Sequence, residues 1–189
     1  MYEKLEQYFK NRTIIDEATL AHICSHFTQL KTKRNQILLR EGDICKEYYF
    51  VNKGCLRLFT YNNEGIETTR YFAFEGAFGT ALPSLIDKTP AFEFVQTIEN
   101  SELLKISRDS FFHLVDTVPQ FARVYRQILE RGFITAQKRI YGFQGFDAME
   151  KVKWVMQYQP DFLVRVSNKM AASYLGLTPA TLSRIKSKL

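Results

Sequence analysis

The chain has 189 residues, 46% of them apolar, and 26 Lys and Arg against 20 Asp and Glu give a formal charge of +6. That length allows one large or two modest domains with real cores, and the lack of any run of eighteen apolar residues excludes a membrane span. The opening MYEKLEQYFKNR has no apolar signal-peptide segment. Three widely spaced cysteines, Cys24, Cys45 and Cys55, fit buried thiols in a reducing cytoplasm better than a disulfide framework or a zinc or iron-sulfur spacing.

Asp16 to Leu30 places Leu20, Ile23, Phe27 and Leu30 at helical spacing. From Gln36 to about Ile106 the sequence predicts short strands, in ILLREGD, EYYFVNKGCLRLFTYNNEG, IETTRYFAFEGAFG and FEFVQTIENSELLKI, separated by Gly, Asn and Asp turns. Strands this short and numerous suit a closed or double-sheet roll that protects its edges. The period then changes: Ser107 to Val115 predicts a short helix, and Pro119 opens a longer one to about Tyr141. Helices follow from Asp147 to the end, with a pair of short strands around Phe162 to Val166.

On the Pro119 helix, Phe121, Tyr125, Ile128, Gly132, Thr135 and Arg139 recur at alternating steps of four and three, a heptad-like seam in which Gly132 lets two backbones approach closely. Leu129, Phe133, Ala136 and Ile140 make a second stripe, assigned to the chain's own roll. The first seam is then the expected homodimer interface; the alternative is one wide stripe buried within a monomer.

The last twenty residues, MAASYLGLTPATLSRIKSKL, read as two short helices meeting at Gly176. Met170, Ala171, Tyr174 and Leu175 face inward, Thr178 caps the second helix and Pro179 opens it. Leu182 and Ile185 give that helix an inner face, which leaves Thr178, Thr181, Ser183, Arg184, Lys186 and Lys188, with Lys169 on the first helix, as DNA-binding candidates. From Tyr141 onward there are seven Lys or Arg and three Asp or Glu, so this segment holds +4 of the +6, and no acidic residue follows Asp161. Such an excess draws the segment toward phosphate. Neither a KH clamp nor an RRM strand motif is present to favour RNA.

Taken in order, ILLREGD with Gly42, VNKG with Gly54, EGAFG, SELLKI before a helix, and AASYLG followed by TPATLSRIKSKL resemble the Crp/Fnr family of bacterial transcription regulators, in the divergent form found in the Bacteroidetes group. The resemblance implies an α+β fold: a cyclic nucleotide-binding-like double-stranded β-roll (jelly-roll) with flanking helices over 1–118, a dimerisation helix over 119–141, and a winged helix-turn-helix over 142–189. It implies double-stranded DNA with a palindromic operator and a second copy of the chain as partners, contact with RNA polymerase, and no membrane.

The family's cyclic-AMP cassette is not matched. Its glycine-glutamate pair falls on Gly79 and Thr80, and its arginine and hydroxyl residue fall near Ala91 and Phe92, so the carboxylate and cation are missing. A buried phosphate there is poorly compensated, and cyclic AMP is not expected as the effector. Arg70 or Lys88 can approach from elsewhere in the roll. With Phe72, Phe74, Phe78 and Phe94, these residues describe either a pocket for an apolar effector of unknown identity or, preferably, a core filled by side chains. Pro179 and Ala180 also replace the arginine-glutamate pair of the recognition helix, so operator preference does not carry over.

No enzyme and no cofactor are expected. His22 and His26 are four apart but have no carboxylate at a matching spacing, so exposed or capping roles are expected and a metal site is not. Residues 36–106 contain no histidine to serve a catalytic cupin, and no cysteine has an evident histidine partner. Two readings remain: a dimeric DNA-binding transcription regulator, or a noncatalytic ligand-binding or protein-interaction module with little specific DNA binding.

Overall fold

The computed structural model describes residues 1–189. In chain order the elements are α1 (Glu3–Lys10), α2 (Glu17–Ser25), β1 (Thr28–Thr32), β2 (Ile37–Leu39), β3 (Glu47–Lys53), β4 (Leu56–Tyr61), β5 (Glu67–Ala73), β6 (Phe78–Gly79), α3 (Leu82–Asp87), β7 (Phe94–Thr97), β8 (Ser101–Ser107), α4 (Arg108–Thr117), α5 (Pro119–Gly145), α6 (Ala148–Tyr158), α7 (Phe162–Arg165), α8 (Asn168–Leu175) and α9 (Pro179–Lys186). Contacts divide the chain into two units, one of Met1–Leu58 with Phe72–Glu130 and the other of Phe59–Tyr71 with Arg131–Leu189.

The strands form two four-stranded sheets, ordered β1-β8-β3-β6 and β2-β7-β4-β5. β8 pairs antiparallel with β1 from Thr28↔Lys105 to Thr32↔Ser101 and with β3 through Phe50↔Leu104. β8 buries Leu104 and Ile106 on one face and Leu103 on the other, while β3 and β4 bury Tyr48, Phe50, Val51, Leu56 and Leu58. The sheets meet closely: a Cβ added at Gly79 of β6 would stand 3.4 Å from Ala73 of β5 and from Leu56 of β4. Little room is left at Gly79 for a larger side chain.

Several boundaries differ from expectation. MYEKLEQYFKNR forms α1, whose Leu5 and Phe9 are fully buried, with Phe9 stacked on Phe121 at 5.5 Å. The helix predicted through Leu30 ends at Ser25, because Gln29 and Leu30 enter the β1–β8 ladder. Residues 162–165 form α7 rather than strands, with Phe162 buried, so no strand and no β-wing lies beyond residue 141. There, helix packing around Phe162 outweighs the β-branched Val164 and Val166.

Helix starts follow local chemistry. Asp16, Ser107, Ser167 and Thr178 each accept a hydrogen bond from the backbone N–H three residues on, and Asp147 forms a reciprocal capping box with Glu150. The three cysteines are free and buried, and burial pushes the Cys24 thiol up to about 11, so it stays protonated and unreactive.

Gly54, in the β3–β4 turn, has φ +96°, and a Cβ there would overlap the Ser101 hydroxyl that receives the Cys55 N–H at 3.3 Å. Gly54→Ala is expected to cost about 2 kcal/mol or more through backbone strain and loss of that contact. The shift in urea midpoint measures it; an unchanged midpoint would show that the turn relaxes.

Candidate nucleic-acid interface

α8 and α9 form the helix-turn-helix. Gly176 closes the corner in the left-handed conformation (φ 65°, ψ 36°), and Leu177 N–H donates to Ala172 O at 3.0 Å. Ala171, Ala172 and Leu175 of α8 and Leu182 and Ile185 of α9 are buried, with Val152 and Val155 of α6. This spine fixes which face of α9 looks outward.

Arg184 on that outward face and Lys188, just past the C-cap of α9, are exposed, and neither side chain makes a hydrogen bond or ion pair with the protein, so both cations are available to a ligand. Ser183 is exposed but not free of the protein: Asn168, at the start of α8, donates from Nδ2 to Ser183 Oγ at 3.1 Å and to Pro179 O at 2.9 Å. Asn168 thus sets the angle of α9, a role its sequence position did not reveal. Thr178 Oγ1 receives the Thr181 N–H at 3.1 Å and lies 2.9 Å from Thr181 Oγ1, so both hydroxyls serve the cap. Lys186 donates to Leu163 O at 3.1 Å, and Lys169 pairs with Glu67 at 3.3 Å. The expected set therefore separates into the available Arg184 and Lys188 and the tethered Ser183, Lys169, Lys186, Thr178 and Thr181.

α8 is held by the β4–β5 hairpin. Arg139, on α5, donates to the carbonyls of Thr69 (3.2 Å), Arg70 and Tyr174 (3.0 Å), and its guanidinium lies over the Tyr174 ring at 4.2 Å and the Phe143 ring at 4.8 Å. Thr69 and Ser173 share a hydroxyl–hydroxyl bond of 2.6 Å. Burial lowers the Arg139 pKa, opposed by Tyr174 and reinforced by Arg70, yet an arginine stays charged. The expected extension of the dimer seam to Arg139 is thus replaced by an intrachain clamp.

The dimer residues also rearrange. Phe121 is 2% exposed, held by Phe9 and by Phe111 at 5.0 Å, and Tyr125 lies edge-on to Phe111 at 5.1 Å. Both belong to their own unit because α5 starts directly after α4 and its first turns cover the α1–α4 aromatic cluster. Ile128 is half-buried, while Gly132 and Thr135 are exposed, Thr135 donating back to Arg131 O. The stripe assigned to the chain's own roll is the open one, with Leu129 38%, Phe133 65% and Ile140 56% exposed and Ala136 exposed beside them.

The effector candidates do not line one cavity. Phe72 and Phe78 are buried, and Phe78 sits 4.9 Å from Phe50, 5.3 Å from Tyr8 and 5.6 Å from Tyr48. Thr80 Oγ1 donates to Glu47 O at 2.8 Å. Ala91 is buried, its N–H given to Asp43 O and its carbonyl receiving Gly42 N–H, both at 2.8 Å, while Phe92 is exposed. Arg70 falls in the other unit, where its carbonyl serves Arg139. Buried charge lies elsewhere in the roll, at Arg57 and Glu93, with Arg57 Nη2 donating to Gln96 Oε1 at 2.9 Å.

The chain carries a two-sheet roll, a long helix and a helix-turn-helix. Residues 29–118 match the family model of the cyclic nucleotide-binding domain, and the chain has the Crp/Fnr-type fold. FixK2 from Bradyrhizobium japonicum is similar at 19% identity, over 86% of this chain and 84% of that one, with a TM-score of 0.76. The c-di-GMP responsive global regulator CLP of Xanthomonas campestris is similar at 17% identity over 92% and 91%, TM-score 0.72. The catabolite activator protein of Thermus thermophilus is similar at 20% identity over 93% and 84%, TM-score 0.59. Among curated proteins none matches the sequence. No helix is long and apolar enough to cross a membrane.

Arg139→Ala leaves three carbonyls without their donor and is expected to destabilise its unit by about 3 kcal/mol. Arg139→Lys should rescue little, since an ammonium cannot reproduce the planar fork and the stacking. Urea unfolding followed by the single tryptophan, Trp154 of the same unit, reads both variants.

Proposed function

We propose that the chain is a noncatalytic transcription regulator that binds palindromic double-stranded DNA as a homodimer. The observation that carries this reading is α9, capped by Thr178, fixed by buried Leu182 and Ile185 and presenting Arg184 without a side-chain partner, with the Lys188 side chain equally unpartnered just past its C-cap. A helix of this width enters the major groove, where a guanidinium donates in bidentate fashion to guanine. The similarity in fold to the Xanthomonas global regulator supports the regulatory role. Arg184 reads a base, Lys188 contacts phosphate, and Ser183, oriented by Asn168, lies between them.

The dimer forms through Leu129, Phe133, Ala136 and Ile140, because an exposed apolar stripe on a helix is costly unless covered. Two copies then present recognition helices to half-sites about 34 Å apart. Cyclic AMP is not the effector: Gly79, Thr80 and Ala91 are engaged in the roll's own packing and hydrogen bonds.

Binding selection on randomised DNA tests the reading. Arg184→Ala is expected to cost about 1–3 kcal/mol per half-site and to relax preference at one symmetric pair of positions. Lys188→Ala should weaken all sequences alike and flatten the salt dependence. Lys186→Ala should change affinity by less than about 0.5 kcal/mol, as a surface substitution away from DNA. Failure of the wild-type protein to enrich any palindrome would favour the interaction-module reading.

Sedimentation checks the interface. The wild type is expected to be a dimer at tens of micromolar, an order-of-magnitude choice for an obligate assembly, and Phe133→Asp a folded monomer. Phe121→Asp should unfold the roll unit instead, because its charge would fall inside the aromatic cluster. A dimeric Phe133→Asp would place the interface elsewhere.

A further inference from the structure

Opposite buried Leu182 and Ile185, helical spacing puts Ala180, Ser183 and Arg184 of α9 on one face with Ser187 at its C-cap, and all four are exposed. Two of them carry hydroxyls. Ser187 gives its proton to Arg184 O at 2.8 Å. Ser183 gives its proton to no protein atom; its oxygen instead receives Asn168 Nδ2 at 3.1 Å. A third atom fixes the direction of that bond. The same Nδ2 donates to Pro179 O at 2.9 Å, and a carbonyl only accepts, so the amide must turn its nitrogen to this corner. Asn168 Oδ1 is buried and accepts nothing, which leaves Pro179 O and Ser183 Oγ as the atoms that hold the amide.

We propose that Asn168 is a positioning residue that makes Ser183 a hydrogen-bond donor toward DNA, and that this hydroxyl discriminates against cytosine at one base position of each half-site. The inference rests on the DNA-binding reading of α9 given above. A hydroxyl has one proton and two lone pairs; Asn168 occupies one lone pair and the proton has no protein acceptor, so the group that Ser183 brings to a ligand is a donor. In the major groove purine N7, guanine O6 and thymine O4 accept, whereas cytosine offers its N4 amino group, itself a donor. Against cytosine two donors meet, and the serine proton loses water without gaining an acceptor. Arg184 lies beside Ser183 on the same face, so the two side chains read neighbouring base pairs.

Selection on randomised DNA is run with the full-length wild type, Ser183→Ala, Asn168→Ala and the double variant. The enriched palindrome is then titrated alongside versions carrying cytosine at each symmetric pair of positions in turn. The wild type is expected to disfavour cytosine at one pair, beside the pair that Arg184→Ala relaxes, by about 2- to 10-fold per half-site, the contribution of one neutral hydrogen bond. Ser183→Ala removes that discrimination and leaves the other positions as in the wild type. Asn168→Ala lowers it with Ser183 still present, and the double variant loses no more than Ser183→Ala alone, because two changes in one chain of hydrogen bonds do not add. An Asn168 that only supported the fold would weaken all sequences alike and add its loss to that of Ser183→Ala, which would overturn its positioning role. Ser183→Ala is an exposed substitution that keeps the fold, so it decides the base reading even where Asn168→Ala loosens α9. An unchanged Ser183→Ala profile, or an equal loss on every sequence as from a phosphate contact, overturns the donor role and leaves DNA binding standing. A wild type that enriches no palindrome overturns both.

Discussion

The half-buried guanidinium of Arg139 organises the unit that carries α8 and α9. It takes carbonyls from β5 and from the end of α8 and lies against two aromatic faces, so three segments distant in sequence share one fixed charge. A charge removed from water is tolerated only where its donors are used and its surroundings are polarisable. Here the carbonyls supply the first condition and Tyr174 and Phe143 the second. The Lys169–Glu67 pair adds little beside it, because Lys169 is largely exposed and such pairs are screened. The orientation of α8 therefore depends on hydrogen bonds and stacking around one side chain, and that of α9 on Asn168 and the Leu182–Ile185 spine.

The interior of the roll around Phe78 is filled by aromatic side chains. Phe78 is enclosed by Tyr8, Phe50 and Tyr48, one of these coming from α1, so the N-terminal helix completes the aromatic core. Aromatic pairs at these separations add to the area they bury. The segment from Asp87 to Phe92 is stitched to Gly42–Ile44 through Ala91 and the Ile44↔Pro90 bridge. Introducing a cation at Ala91 would place it at a buried position whose backbone is already committed. The missing cassette and the filled interior are thus one fact, seen once in residue types and once in packing.

What could be read from sequence was what local chemistry decides. Thr178, Pro179 and Gly176 mark the helix-turn-helix because a cap, a helix-opening proline and a left-handed corner are each satisfied within four residues. The short stretches of β3, β4 and β8, set apart by Gly, Asn and Asp turns, likewise announced their strands. α1 was legible in principle from Leu5 and Phe9 at helical spacing, but its dense charge obscured the stripe. Which stripe of α5 faces home was not legible, since Phe9 and Phe111 decide it from far along the chain. The Arg139 clamp joins residues about seventy apart, and no periodicity encodes such a contact. FLVRV shows the reverse case, in which β-branched residues follow a helix because Phe162 must be buried.

The division of cations on the DNA-reading segment follows from the same economy. Of the basic residues at its end, Lys169 and Lys186 spend their ammonium groups on Glu67 and Leu163 O, whereas Arg184 and Lys188 do not. A net positive segment draws phosphate from a distance whichever cations are tethered, because the long-range field depends on summed charge. At contact only groups free to exchange water for a base or phosphate contribute. The tethered lysines thus add to the long-range field and hold the fold, while Arg184 is the cation of α9 left free. Pro179 and Ala180, where the cyclic-AMP-responsive pattern has charged residues, bring no donor to the helix's first turn. The free cation that α9 offers stands instead in its last turn, at Arg184, next to Ser183, which Asn168 holds.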